Sequence, residues 1–151
     1  MLLSQEIFSS VIKNTPLISI DLIVENSEGE ILLGKRVNEP AKGFWFVPGG
    51  RVFKDETLDM AFSRTVKEEI GLDLQREESI FQGSYEHFYK NNVFNSAFST
   101  HYIVLAHKIL TTSTLQLNSQ HEEYKWFKKE ELLSIEDVHR YTKDYFKGND
   151  K

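Results

Sequence analysis

Between Leu58 and Ile70, the residues Leu58, Ala61, Phe62, Val66 and Ile70 recur at helical spacing and form one apolar stripe. Glu69 breaks that stripe. At 100° per residue it lies about 20° around the helix from Leu58 and from Phe62, near the middle of the face that should be buried. Glu68 adjoins it, further round toward Ala61, and both stand at the C-terminal end, where the helix dipole disfavours negative charge. Two local rules broken at one place mark a functional or strained site. A divalent cation would resolve both, because it supplies positive charge and accepts carboxylate oxygens. Pairing of Glu69 with a lysine or arginine, or a position at the rim of the core, would resolve them too.

The flanking residues shift the balance toward metal. Gly50 is followed after five residues by Glu56 and after seven more by Arg64; Val66, Glu68-Glu69, Gly71 and Leu72 complete the run. This pattern resembles the Nudix box, G-x5-E-x7-R-E-U-x-E-E-x-G-U, where U is a bulky aliphatic residue. So many fixed positions are far more specific than a lone glycine motif. Glu56 and Arg64 are about two helical turns apart and can pair across the loop–helix junction. Gly49-Gly50 permits a sharp turn that brings a carbonyl oxygen close to a metal. One position departs: Thr65 stands where the box has the first glutamate of an Arg-Glu pair. In the family that glutamate belongs to the carboxylate cluster that activates water for attack at phosphorus, so its loss puts multi-metal P–O hydrolysis in doubt.

A second resemblance extends over nearly the whole chain. Its stretches are Thr15-Pro16-Leu17 with Asp21, Leu32–Arg36, Trp45–Val52, Lys54–Leu58, His87-Phe88-Tyr89, Thr100-His101-Tyr102, and Gln120-His121 ahead of Tyr124 and Trp126. They are similar to the GDP-mannose mannosyl hydrolases, a Nudix branch with an altered box. That resemblance implies hydrolysis of GDP-mannose, with GDP-glucose as a second substrate, to GDP and a free hexose of inverted configuration. It implies one Mg²⁺ per subunit, with Mn²⁺ as a substitute, held by the Gly49 carbonyl, Glu69 and Gln120. His121 would be the general base, and Arg36, Arg51 and Tyr102 would bind the departing diphosphate. Asp21 and His87 would contact the sugar. Leu2, Leu3, Phe8 and Tyr89 would border the nucleotide, and the assembly would be a homodimer.

The chemistry is self-consistent. Attack at carbon expels a diphosphate, a good leaving group, so one metal and guanidinium donors suffice to stabilise the charge. Arginine's planar fork of donors suits that task. A base that is neutral near pH 7 is what histidine provides. Taken singly, each residue has a plainer reading. His121 before an acidic pair would be a solvated loop histidine, and His87, His101 and Tyr102 could simply pack on strands. Arg36 could be an ordinary surface residue, but it follows a strand end, where loops carry ligands. His107 and His139 have no supporting context and read as surface residues. Glu122 and Glu123 read as a solvated pair, one of which could add a metal ligand. Two alternatives stay open: a conventional Nudix pyrophosphohydrolase that uses Glu68, Glu69 and one of Glu122 or Glu123, and a non-catalytic nucleotide-sugar-binding module.

These residues need a frame to hold them. The 151 residues fit one domain, 1–151, with the box at 50–72. A formal net charge of −5 argues against a broad nucleic-acid surface. Cysteine is absent, which removes disulfides, thiol catalysis and Cys-ligated zinc, and suits the cytoplasm. No apolar run approaches the roughly 20 residues that cross a bilayer, so no membrane partner is expected. The patterning predicts a helix over Ser4–Lys13, capped by Ser4, then strands at Leu17–Glu25 and Glu30–Gly34 joined by a turn. On the first strand Ile18, Ile20, Leu22 and Val24 should share a face. An aromatic strand, Phe44–Val47, should end at the breaker Pro48-Gly49-Gly50. The helix Glu56–Ile70 should close at Gly71. Strands at Ser84–Tyr89, Ser99–Ile109 and Tyr124–Phe127 follow, then two helical segments within Lys128–Phe146. Strands and helices mix without regular βαβ alternation, so the expected class is α+β, a Nudix-type α/β/α sandwich with a mixed central sheet.

Overall fold

A computed structural model describes residues 3–117 and 121–147, and of residues 121 and 122 only the backbone. Helix α1 (Gln5–Asn14) leads into the strand β1 (Leu17–Glu25), and the Ser4 hydroxyl accepts from the Ile7 N–H at 3.3 Å to cap the helix. A turn at Asn26–Gly29 returns the chain as β2 (Glu30–Arg36). Its shape comes from Asn26, whose Oδ1 accepts from the Glu28 and Glu30 N–H groups at 3.0 and 2.9 Å. The short strands β3 (Trp45–Phe46) and β4 (Gly49–Arg51) precede α2 (Leu58–Ile70). Then come β5 (Ile80–Tyr89), β6 (Thr100–Leu110), β7 (His121–Lys128), α3 (Lys129–Ser134) and α4 (Arg140–Asp144).

The seven strands form one mixed sheet in the order β3-β2-β1-β6-β5, with β4 also paired to β1 and β7 to β2. Beside the turn, Glu25 registers with Ile31. Further along, β4 lies antiparallel to β1 (Asp21 opposite Gly49) and β7 antiparallel to β2 (Arg36 opposite His121). On its other side β1 runs parallel to β6, from Leu17 opposite Tyr102 to Glu25 opposite Leu110.

Both faces of this sheet are covered, which makes the sandwich. Ile20, Leu22, Val24 and Leu32 pack against Ala61, Phe62, Val66 and Ile70 of α2. On the opposite face Ile23, Ile31, Leu33, Trp45 and Phe127 pack against Leu132, Val138 and Tyr145. Each such aliphatic or aromatic burial contributes about 1.5–3 kcal/mol, and strand alternation divides the residues between the two layers. Ile18 does not join its expected partners in the core; it is 46% exposed near the strand's start.

Several boundaries differ from expectation: β2 runs on to Arg36, β3 shortens to Trp45–Phe46, and β7 begins at His121 and not Tyr124. Glycines at 49 and 50 do not break the chain: Gly49–Arg51 is itself a strand. Neither has a positive φ; what Gly49 needs is room, since a Cβ there would lie 2.5 Å from Asp21 Oδ1 and 2.6 Å from the Ile20 carbonyl oxygen. Helix α2 starts at Leu58, capped by the Thr57 hydroxyl, because the Glu56 carboxylate turns back to accept from the Phe53 N–H at 2.8 Å. Strand β5 begins at Ile80, four residues before its alternating pattern becomes visible.

Candidate active site

The box folds around Arg64. Its guanidinium donates to both Glu56 oxygens at 2.7 and 2.9 Å, to the Arg51 carbonyl at 2.8 Å, and to Glu68 at 3.2 Å, and it lies 3.9 Å from the Phe53 ring centroid. These bonds hold the loop between β4 and α2 to the helix. They also draw Glu68 away from Glu69: the Glu68 side chain is 58% exposed, whereas Glu69 is 4% exposed. The two carboxylates, adjacent in sequence, thus face different surroundings. One helical turn before Glu69, Thr65 is buried, and its hydroxyl has no hydrogen-bond partner among the described residues. Thr65 packs on Gly50, where an added Cβ would meet its Oγ1 at 3.2 Å.

Oxygen donors of this kind fit one hard divalent cation. Glu69 supplies a buried carboxylate, and the Gly49-Gly50 backbone passes beside the same helical face. Among the described residues no three His, Cys, Asp or Glu side chains converge, so the carboxylate cluster of a multi-metal site is not seen there. The negative charge of Glu69 is felt nearby: Tyr124 is pushed up to about 12, first by burial and then by Glu69.

Beside this region a cavity of about 270 Å³ gathers residues from six strands and α1. Asp21 of β1, Arg36 of β2, Arg51 of β4, His87 and Tyr89 of β5, and Tyr102 of β6 all line it, with Phe8 and Gly49. Eight expected site residues therefore share one wall. Neither Arg36 nor Arg51 is ion-paired among the described residues. Arg36 is aimed by its Nε, which donates to the Pro40 carbonyl at 2.9 Å, and Arg51 stacks 4.7 Å from the Phe8 ring centroid and 5.0 Å from that of Phe53. Two guanidiniums without ion-pair partners among the described residues are the chemistry that could receive an anion in this cavity. Burial raises the Tyr102 hydroxyl above its ordinary value, so it stays a hydrogen-bond donor at neutral pH.

At the other end, burial pushes the Asp21 carboxyl up to about 6, opposed by the Tyr145 hydroxyl that donates to its Oδ2 and by the charge of Arg36. His87 is 5% exposed, lies flat on Tyr141 with centroids 4.3 Å apart, and is lowered to about 4, first by burial and then by His139. It is neutral near pH 7 and able both to donate and to accept.

Of the remaining expected residues, Leu2 and Gln120 lie outside the described residues. The His121 backbone stands opposite Arg36 in the β2–β7 ladder. Leu3 does not line the cavity. Of the two histidines read as surface residues, one is buried and the other is half-buried. His107 is 2% exposed, between Phe62 and Phe81, and shares a 3.1 Å hydrogen bond with the Leu105 carbonyl. His139 stacks on Phe46 at 4.6 Å, and its Nδ1 accepts from the Tyr141 N–H at 3.1 Å, capping α4. Tyr141 and Tyr145, which hold His87 and Asp21, had no sequence signal beyond aromatic spacing near the C-terminus.

Residues 15–146 match the family model described as NUDIX domain. The low-salt glycan biosynthesis protein Agl8 of Haloferax volcanii is 39% identical over 144 residues, covering 95% of this chain and 88% of its own. The ADP-ribose pyrophosphatase of Methanocaldococcus jannaschii is 46% identical over 57 residues, 38% of this chain and 33% of its own. Among solved structures, the MutT protein from Methanosarcina mazei Go1 superposes with a TM-score of 0.70 at 26% identity, covering 88% of this chain and 92% of the other. The NUDIX domain of Shewanella oneidensis NrtR, complexed with ADP ribose, shares the fold with a TM-score of 0.64 at 16% identity, covering 96% of this chain and 97% of the other.

Proposed function

The chain belongs to the NUDIX family and is a hydrolase, and from that premise we propose that it hydrolyses GDP-mannose and GDP-glucose to GDP and a free hexose by attack of water at the sugar's anomeric carbon. One observation carries this reading: the cavity sets two arginines that are not ion-paired among the described residues in the same lining as the Asp21 carboxyl and the His87 imidazole. The first pair suits a diphosphate and the second suits the hydroxyls of a polyol.

In this reading Mg²⁺ would be held by the Gly49 carbonyl, Glu69 and Gln120, and when bound it supplies positive charge to the diphosphate oxygens. Arg36, Arg51 and the Tyr102 hydroxyl bind the same group and stabilise it as it departs. His121 takes a proton from water, the water oxygen bonds to C1, and the C1–O bond breaks with its electron pair going to GDP. Attack opposite the leaving group inverts the anomeric centre. Asp21 and His87 orient the hexose. The homodimer implied by the resemblance belongs to the same reading and is tested by sedimentation.

Thr65 and Glu68 support carbon over phosphorus as the point of attack. The carboxylate of the Arg-Glu pair is missing at Thr65, and Glu68 is occupied by Arg64 at the surface. Similarity to the ADP-ribose pyrophosphatase stops at 38% of the chain, whereas the glycan biosynthesis relative matches 95% of it. Hydrolysis of a panel of GDP- and UDP-sugars in ¹⁸O-labelled water tests the reading. Label in the hexose is expected; label in a phosphate product would sink it and favour a pyrophosphohydrolase. His121→Ala should lower kcat by about 10²–10⁴ with binding largely kept, the range of a lost general base. A wild-type rate in that variant would remove His121 from the mechanism.

A further inference from the structure

Tyr141 of α4 and Tyr145, the residue that follows the helix, contact two residues that line the cavity. Tyr141 lies against His87 and ties itself to β5, its hydroxyl donating to the Phe88 carbonyl and accepting from the Phe88 N–H, both at 2.9 Å. Tyr145 is 1% exposed and held edge-on by Tyr85 with centroids 4.7 Å apart. Its carbonyl accepts from Gln82 Nε2 at 2.8 Å, and its hydroxyl donates to Asp21 Oδ2 across 124 residues of chain. A tyrosine buried this deeply needs a partner for its hydroxyl, and the partner here is a carboxylate that lines the cavity. The other oxygen, Asp21 Oδ1, sits over Gly49 at a spacing that no side chain at position 49 would allow. One carboxylate oxygen is therefore held by a hydrogen bond, and the other lies close beside the Gly49 backbone.

We infer that Tyr145 is a positioning residue: it fixes the rotation of the Asp21 carboxylate so that the remaining acceptor capacity meets hexose hydroxyls in one geometry. This rests on the nucleotide-sugar reading above. A carboxylate free to rotate would adapt to either hydroxyl epimer, whereas a fixed one discriminates between them. Tyr145 stands behind Asp21, outside the wall of the cavity, so its effect reaches the hexose and not the diphosphate.

The test uses full-length protein and Tyr145→Phe, Asp21→Asn and the double variant. kcat/KM is measured for GDP-mannose and GDP-glucose, and the inhibition constant for GDP. Tyr145→Phe should lower kcat/KM on the preferred hexose about tenfold, the effect of one charge-assisted hydrogen bond. It should narrow the mannose–glucose ratio and leave GDP inhibition within about twofold. In the Asp21→Asn background the same change should cost less than about twofold, because its route is already gone. The mannose-to-glucose ratio of kcat/KM is internal to each variant, so partial loss of folded protein cancels in it. Equal losses for GDP-hexose and GDP, an unchanged hexose ratio, or additivity in the double variant would each overturn the positioning role. A wild type that binds GDP but turns over neither GDP-hexose refutes the underlying reading, and that result appears before any variant is compared.

Discussion

Glu69 and Thr65 occupy successive turns of one helical face and ask opposite things of their surroundings. Glu69 is a buried carboxylate where the dipole is unfavourable, so a cation there gains from both. Mg²⁺ at a hundred times its Kd should stabilise the wild type by about 2.7 kcal/mol through mass action. Glu69→Gln should lose most of that gain and most of the activity; a metal-induced Tm shift equal to wild type would rule Glu69 out as a ligand. Thr65 is buried with a hydroxyl that finds no partner among the described residues. Thr65→Val keeps the shape and removes that oxygen, so metal-free protein should gain about 1 kcal/mol in urea unfolding. A loss of similar size would mean that the hydroxyl is bonded after all. Glu69 was legible because a charge on an apolar stripe is a visible contradiction. The parting of Glu68 from Glu69 was not, because adjacency in sequence does not say which neighbour each carboxylate will choose.

Elements that carry a cap, an alternation or an aromatic run announced themselves, and those without such a pattern did not. Helix α1, strand β1 and the stop at Gly71 agree closely with what patterning predicts, because each carries a cap or an alternation. Strand β4 is three residues, two of them glycine, and offers no pattern; it exists because Gly49 lets the chain pass close beside Asp21. Gly71 joins both kinds of requirement. Its φ is +74°, and a Cβ would meet Gln116 Cβ at 2.6 Å and the Gln116 carbonyl oxygen at 3.1 Å. Gly29 has nearly the same φ, +77°, with nothing within 4 Å. Gly29→Ala should therefore cost about 1–2 kcal/mol, the left-handed penalty alone. Gly71→Ala should cost more by at least about 1 kcal/mol, since overpacking adds to it. Equal losses in denaturant titrations would mean that the Gln116 segment simply moves aside.

The cavity depends on long-range pairing that no local pattern reveals. Asp21 meets Tyr145, and β1 runs parallel to β6 some eighty positions later, so the residues of the site could be named from resemblance but not arranged. One consequence of that arrangement is electrostatic. His87 is enclosed by Tyr141 of α4, Tyr145 just after that helix, Tyr89 on its own strand and His139 at the N-terminus of α4, and its ring is lowered from 6.5 to about 4. The unfolded chain thus binds a proton between these values while the folded chain does not, so stability falls as pH drops through the interval and levels off below it. The full difference is roughly 3 kcal/mol. His139, also lowered to about 4, acts in the same direction. Asp21 opposes them: raised from 3.8 to about 6, it is destabilising once ionised, so its contribution to stability is lost as pH rises through that range. The raw slope of wild-type Tm against pH mixes all three. The informative quantity is the difference between wild type and His87→Phe, which keeps an aromatic ring but cannot protonate. That difference should be small at pH 7.5 and should shift in favour of the variant as pH falls from 6.5 to 4. Parallel Tm curves over this interval would mean that His87 titrates alike in the folded and unfolded chain, and that burial between β5 and α4 is not what holds it neutral.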